Sequence, residues 1–109
     1  MKLTKEKLND YLVLTVEGRL DTTQSDAFEK EIMQILDQDE KKIILDCSGL
    51  NYISSSGLRI FLIIQKKMMG TGGQFSISNL QPEIMEVFDM SGFSMIFTIH
   101  PDLETAMKS

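Results

Sequence analysis

Residues 42–48, Lys-Ile-Ile-Leu-Asp-Cys-Ser, form a short apolar run without polar alternation, the pattern of a strand covered on both faces. Such a strand belongs in the middle of a sheet, and parallel neighbours need crossover segments of about a dozen residues or more. The flanking sequence has that organisation. Leu12, Leu14 and Val16 alternate with Val13, Thr15 and Glu17 before Gly18, and residues 2–8 can pair back on them through Asn9 and Asp10, so the sheet opens with a hairpin. Phe28, Ile32, Ile35 and Leu36 recur at helical spacing, with Thr23 or Ser25 as the expected N-cap and Asp26, Glu29 and Glu31 favouring the early turns. A second helix puts Leu58, Phe61, Leu62 and Met69 on one broad face, widened by Ile60, Ile63 and Ile64, and ends near the Gly70–Gly73 turn.

Residues 74–78 alternate as a further strand. Pro82 suits the first turn of a third helix, whose stripe is Ile84, Val87 and Phe88 and whose stop is Ser91-Gly92. Phe97 to Ile99 reads as the last strand, followed by a short helix over 102–108. Strands alternating with helices define an α/β class, here with about five strands and four helices in one domain over residues 1–109.

Composition narrows the function. Cys47 is the only cysteine, so no disulfide framework exists, and a lone cysteine in an apolar strand is expected to be a core residue of a cytoplasmic protein. The N-terminus lacks the apolar run of a signal peptide. The longest apolar stretch, residues 58–64, contains Arg59 and is far too short to span a bilayer, so no membrane insertion is expected. A net charge of −5 with scattered basic residues opposes direct DNA or RNA binding and points to a protein partner. Met68, Met69, Met85, Met90 and Met95 are expected mostly to fill the core, with a few available to soften a partner surface. A monomer is the default expectation.

Residues 46–59 carry the most specific signal. They finish the apolar strand, deliver Ser54, Ser55 and Ser56, and open the second helix, so three hydroxyls crowd one helix start. The unpaired amides and the dipole there, worth roughly half a positive charge, suit a phosphate. One N-cap explains one serine, not three. Gly57, Leu58 and Arg59 stand where a capping box would need Glu or Gln. Catalytic alternatives fare worse. His100, the only histidine, is expected in a loop before Pro101, clustered zinc ligands are lacking, and Gly70–Gly73 has no GK[ST] ending. No enzyme activity and no cofactor or metal are expected.

Leu45-Asp46-Cys-Ser48 followed by Ile53-Ser-Ser-Ser-Gly57-Leu58 resembles the signature of STAS domains, specifically the stand-alone bacterial anti-sigma factor antagonists. Gly18-Arg-Leu-Asp21, the Gly-rich turn before Gln74-Phe75 and the closing strand at Phe97 occur in family order, so the resemblance spans essentially the whole chain. It implies a mixed central sheet with helices packed mainly on one side. It implies Ser55 as phosphoacceptor, with Ser54 and Ser56 as alternatives, and a partner-binding surface of Asp21, Thr22, Asn51, Tyr52, Ser54, Ser56, Gly57, Leu58 and Arg59. Many members carry aspartate immediately before the phosphoacceptor; this chain has Ser54. The implied partners are an anti-sigma factor that is also a serine/threonine kinase, and a serine phosphatase acting on the phospho-form. STAS domains also serve in other settings, so the alternative is a constitutive subunit of a membrane-associated, lipid-transport type complex.

Overall fold

The computed structural model describes residues 1–108; Ser109, the last position of the expected domain, lies outside the described residues. Five strands form one sheet in the order β1-β2-β3-β4-β5, with β1 Lys2–Leu8, β2 Tyr11–Leu20, β3 Lys42–Ile53, β4 Gln74–Ser78 and β5 Ile99–His100. The helices are α1 Thr22–Leu36, α2 Ser55–Gly70, α3 Pro82–Met90 and α4 Leu103–Met107, with a single 3-10 turn at Phe93–Met95. β1 and β2 pair antiparallel around Asn9-Asp10, with Asn9 in the left-handed conformation, and every other pairing is parallel. The apolar run is the central strand. β1 forms one edge, where Lys2, Lys5 and Lys7 discourage a foreign strand from adding on.

Both long strands run further than their periodicity suggests. Gly18, at φ +99°, is a bulge inside β2 rather than its end, because glycine takes that backbone angle without steric cost. β3 continues past Ser48 to Ile53, since Leu50 and Ile53 are buried and pair with the end of β2. A Cβ at Gly49 would lie 2.8 Å from the Glu17 side chain, so the glycine lets the strands pass. β5 is shorter and later than expected. Phe97 is a buried core side chain outside the strand, and His100, expected in a loop, lies in β5 beside Ser78; Pro101, without an N–H, follows the strand's end.

The main core lies between one sheet face and α1, α2 and α3. Phe28, Phe61 and Phe88, one from each helix, stand with ring centroids 6.3 and 6.1 Å apart, and Phe97 continues the row at 5.7 Å. The opposite face is covered by α4, whose Ala106 packs with Tyr11, Val13 and Ile44, so helices do lie mainly on one side. Cys47 is fully buried, and burial, with the Asp46 charge adding to it, pushes its thiol far above the ordinary range.

Methionine use departs from the expectation. Met68 fills the core, because it continues the stripe of Phe61 and Ile64, while Met69 sits one position round the helix and is 70% exposed. Met90 and Met95 are more than four-fifths exposed, at 82% and 89%. Val87 is likewise largely outside the α3 stripe, which narrows to Ile84 and Phe88.

Candidate functional site

β2 and β3 end side by side, at Leu20 and Ile53, and α1 and α2 both begin there. This is the C-terminal edge of the parallel strands, where open α/β sheets place their functional loops. The two helix starts are pinned together by backbone as well as side chains: the Ser54 N–H donates to the Leu20 carbonyl at 2.9 Å. A Cβ on Gly57 would meet Ile53 Cγ1 at 2.9 Å and Leu20 Cδ2 and Cγ at 3.0 Å, so only glycine lets α2 start this close to the sheet.

The three serines separate into different roles. Ser54 is the N-cap of α2, its Oγ accepting from the Gly57 N–H at 3.2 Å. Ser56 is partly buried and its Oγ lies 2.9 Å from that of Ser54 and 2.7 Å from that of Ser25 on α1. Ser25, buried at 4% exposure, donates in turn to the Asp21 carbonyl at 3.0 Å. Ser55 is exposed, and its hydroxyl has no hydrogen bond among the described residues. With the Gly57 amide taken by Ser54, the Ser55 and Ser56 amides of the first turn have no acceptor among the described residues.

Asp21 caps α1, in place of the expected Thr23 or Ser25. Its Oδ1 accepts from the Thr23 N–H at 3.0 Å, the Gln24 N–H at 3.2 Å and the Thr23 hydroxyl at 2.6 Å. A carboxylate reaches two amides at once from just outside the helix, whereas Ser25 is already within it. The Thr23 hydroxyl bond, and then the Gln24 and Thr23 amides and Arg19, hold its carboxyl below the usual carboxylate range against the opposing effect of partial desolvation. The first turn of α1 carries no acid, so Asp21 supplies the negative charge that Asp26, Glu29 and Glu31 were expected to bring.

The other expected contact residues divide between surface and packing. Thr22, Asn51 and Tyr52 are exposed around the edge. Gly57 and Leu58 are buried; Leu58, 7% exposed, belongs to the core, so these two shape the helix start from beneath instead of offering side chains to a partner. Arg59 does not lie over the serine turn: its Nη2 donates to Glu29 Oε1 on α1 at 3.1 Å. Two residues escaped sequence reasoning. Arg19 lays its guanidinium 4.3 Å from the Tyr52 ring centroid, a contact set by the β2–β3 register. Ser25 carried only a capping signal, and its link to Ser56 spans 31 positions.

Surface hollows lie elsewhere. One of about 530 Å³ sits between β1 and α1, and another of about 270 Å³ runs along β4 and α2, lined by Phe75, Gln65 and Met68. Among the described residues, no helix is long and apolar enough to cross a membrane, and no group of three or more His, Cys, Asp or Glu is placed to hold a metal ion.

Fold and site define a small single-sheet α/β domain whose distinguishing feature is a hydroxyl-rich helix start on an open edge. The chain belongs to the STAS domain family, which it matches over residues 2–106. Several of its curated relatives are named as anti-sigma factor antagonists. "Putative anti-sigma factor antagonist BtrV" of Bordetella bronchiseptica is 34% identical over 106 residues, covering 97% of this chain and 91% of the relative. The anti-sigma F factor antagonist of Paenibacillus polymyxa is 24% identical over 98% of this chain and 92% of its own length. Among solved structures, the Thermotoga maritima protein TM1081 matches with a TM-score of 0.92 at 21% identity, over 97% of this chain and 92% of that one. The anti-sigma factor antagonist SpoIIAA in its unphosphorylated form matches with a TM-score of 0.79 at 21% identity, over 95% and 92%.

Proposed function

We propose that this protein is an anti-sigma factor antagonist switched by phosphorylation of Ser55. The observation that carries the reading is the division of labour in the serine triplet: Ser54 caps, Ser56 is tied to α1, and Ser55 alone presents an exposed, unengaged hydroxyl. The names of the curated relatives support it, as does the existence of solved SpoIIAA structures in both unphosphorylated and phosphorylated forms.

In this reading the unmodified edge, with Thr22, Asn51, Tyr52 and Ser55 exposed, docks in the cytoplasm on an anti-sigma factor that is also a serine/threonine kinase, and so frees the sigma factor. Phosphorylation adds about −1.5 to −2 charges to a contact that has been desolvated. A penalty of about 3 kcal/mol would weaken the complex more than a hundredfold. In the free protein the unpaired amides of the first turn of α2 and its dipole tolerate the phosphate, so the fold does not have to change. A serine phosphatase resets the switch. The protein acts by binding, not catalysis; its single histidine sits on β5, two strands away from β3.

The test is mass spectrometry of the protein purified from its native host, together with partner pull-down. One phosphate on Ser55 that abolishes binding of a kinase-type partner is the expected result. No phosphate, with copurification of a transporter ATPase instead, would sink it.

A further inference from the structure

We infer that Ser25 is a positioning residue that restricts modification to Ser55 by locking the hydroxyls of Ser54 and Ser56; the inference rests on the proposed phosphorylation of the turn. A serine hydroxyl has one proton to donate. Ser25 gives its proton to the Asp21 carbonyl at 3.0 Å, so across the 2.7 Å contact it can only accept from Ser56. Ser56, having donated to Ser25, can only accept across the 2.9 Å contact with Ser54. Ser54 donates there and accepts from the Gly57 N–H at 3.2 Å. The five groups therefore form a one-way chain, Gly57 N–H to Ser54 to Ser56 to Ser25 to the Asp21 carbonyl. Its direction is set at the far end, by a buried hydroxyl on the other helix.

Phosphoryl transfer requires the serine oxygen to attack the γ-phosphorus of a nucleoside triphosphate held by the kinase. The new Oγ–P bond forms as the bond to the nucleoside diphosphate leaving group breaks, and the hydroxyl proton passes to the kinase's base. For Ser54 and Ser56 that proton is already committed to a neighbouring hydroxyl, and withdrawing either residue breaks the chain between α1 and α2. Ser55 has neither constraint. Burial alone does not account for the selection, because Ser54 and Ser56 are only partly covered. Without Ser25, Ser56 loses its acceptor and its hydroxyl proton is released, one position round the helix from Ser55.

The test expresses wild type, Ser55→Ala, Ser25→Ala/Ser55→Ala and Ser25→Ala/Ser55→Ala/Ser56→Ala in the native host and measures site occupancy by mass spectrometry. Wild type is expected to carry phosphate on Ser55, and Ser55→Ala little. Adding Ser25→Ala is expected to raise Ser56 occupancy by about tenfold, the factor corresponding to release of one hydroxyl hydrogen bond of ~1.4 kcal/mol. The triple variant should lose that signal. A gain of function on a new atom is a readout that simple destabilisation does not produce. Phosphate on Ser55 in wild type, with Ser56 occupancy unchanged by Ser25→Ala or already high in Ser55→Ala, overturns this inference and leaves the proposed function standing. No phosphate on the wild-type protein overturns both.

Discussion

Two glycines in the same helix should respond to alanine with opposite signs. Gly57 is the third residue of α2, and a Cβ there would meet Ile53 Cγ1 at 2.9 Å, closer than real Cβ contacts come, and Leu20 at 3.0 Å, at the tight end of what they show. Leu20 is wholly buried and Ile53 nearly so, so neither can swing out of the way. The helix start must lift from the sheet instead, and the backbone bond from Ser54 to Leu20 at 2.9 Å resists it. Overpacking of this kind costs about 1–3 kcal/mol, and the better helix propensity of alanine returns up to about 1 kcal/mol. A net loss of ~1–2 kcal/mol, at ~2.1 cal/mol/K per residue, lowers Tm by about 4–9 °C. At Gly70, the last residue of α2, a Cβ would meet nothing within 4 Å. Gly70→Ala should then raise stability by about 0.5–1 kcal/mol. Thermal and urea unfolding of the two variants against wild type measure both. A Gly57→Ala protein melting at or above the wild-type temperature would refute the close-packing argument for the helix start.

Within the serine triplet, Ser54→Ala should cost about 1 kcal/mol through loss of the cap, whereas Ser55→Ala should stay within ~0.5 kcal/mol of wild type; urea unfolding ranks them. Cys47 should resist thiol reagents in the native protein and react only after denaturation, as stopped assays with and without urea would show. Asp21 has a folded-state pKa below its unfolded one, so its contribution to stability is complete above the ordinary carboxylate value of 3.8 and is lost as pH falls through the lower folded value. Asp21→Asn, which keeps a cap but cannot titrate, should flatten that part of the acid unfolding profile. Arg59→Ala should change stability by under ~0.5 kcal/mol, because the pair with Glu29 is exposed and screened, and a larger loss would mean that Arg59 also holds the helix start.

Much of the fold is written in local pattern. The unbroken run around Ile43–Leu45 places a strand at the centre of the sheet, and the Phe28, Ile32, Ile35 and Leu36 spacing makes α1, because burial of an apolar stripe depends on residues a few positions apart. Local pattern misplaced what depends on neighbours. β2 passes through Gly18 and β3 through Gly49 because partner strands reward continuation, and Met69 and Met90 are exposed because the helix faces are narrower than their hydropathy suggests.

The site divides the same way. The sequence by itself determined that three hydroxyls stand at one helix start and that the chain has the STAS motif order. Which hydroxyl is free was decided only by tertiary structure. Ser54, Ser55 and Ser56 are chemically alike and adjacent; Ser54 is set apart by capping the Gly57 N–H, and Ser56 by a buried Ser25 on another helix, brought to 2.7 Å by the packing of α1 against α2. A hydrogen bond is fixed by distance and direction between atoms, and 31 positions of sequence separation carry no information about either until the sheet has brought the two helix starts together.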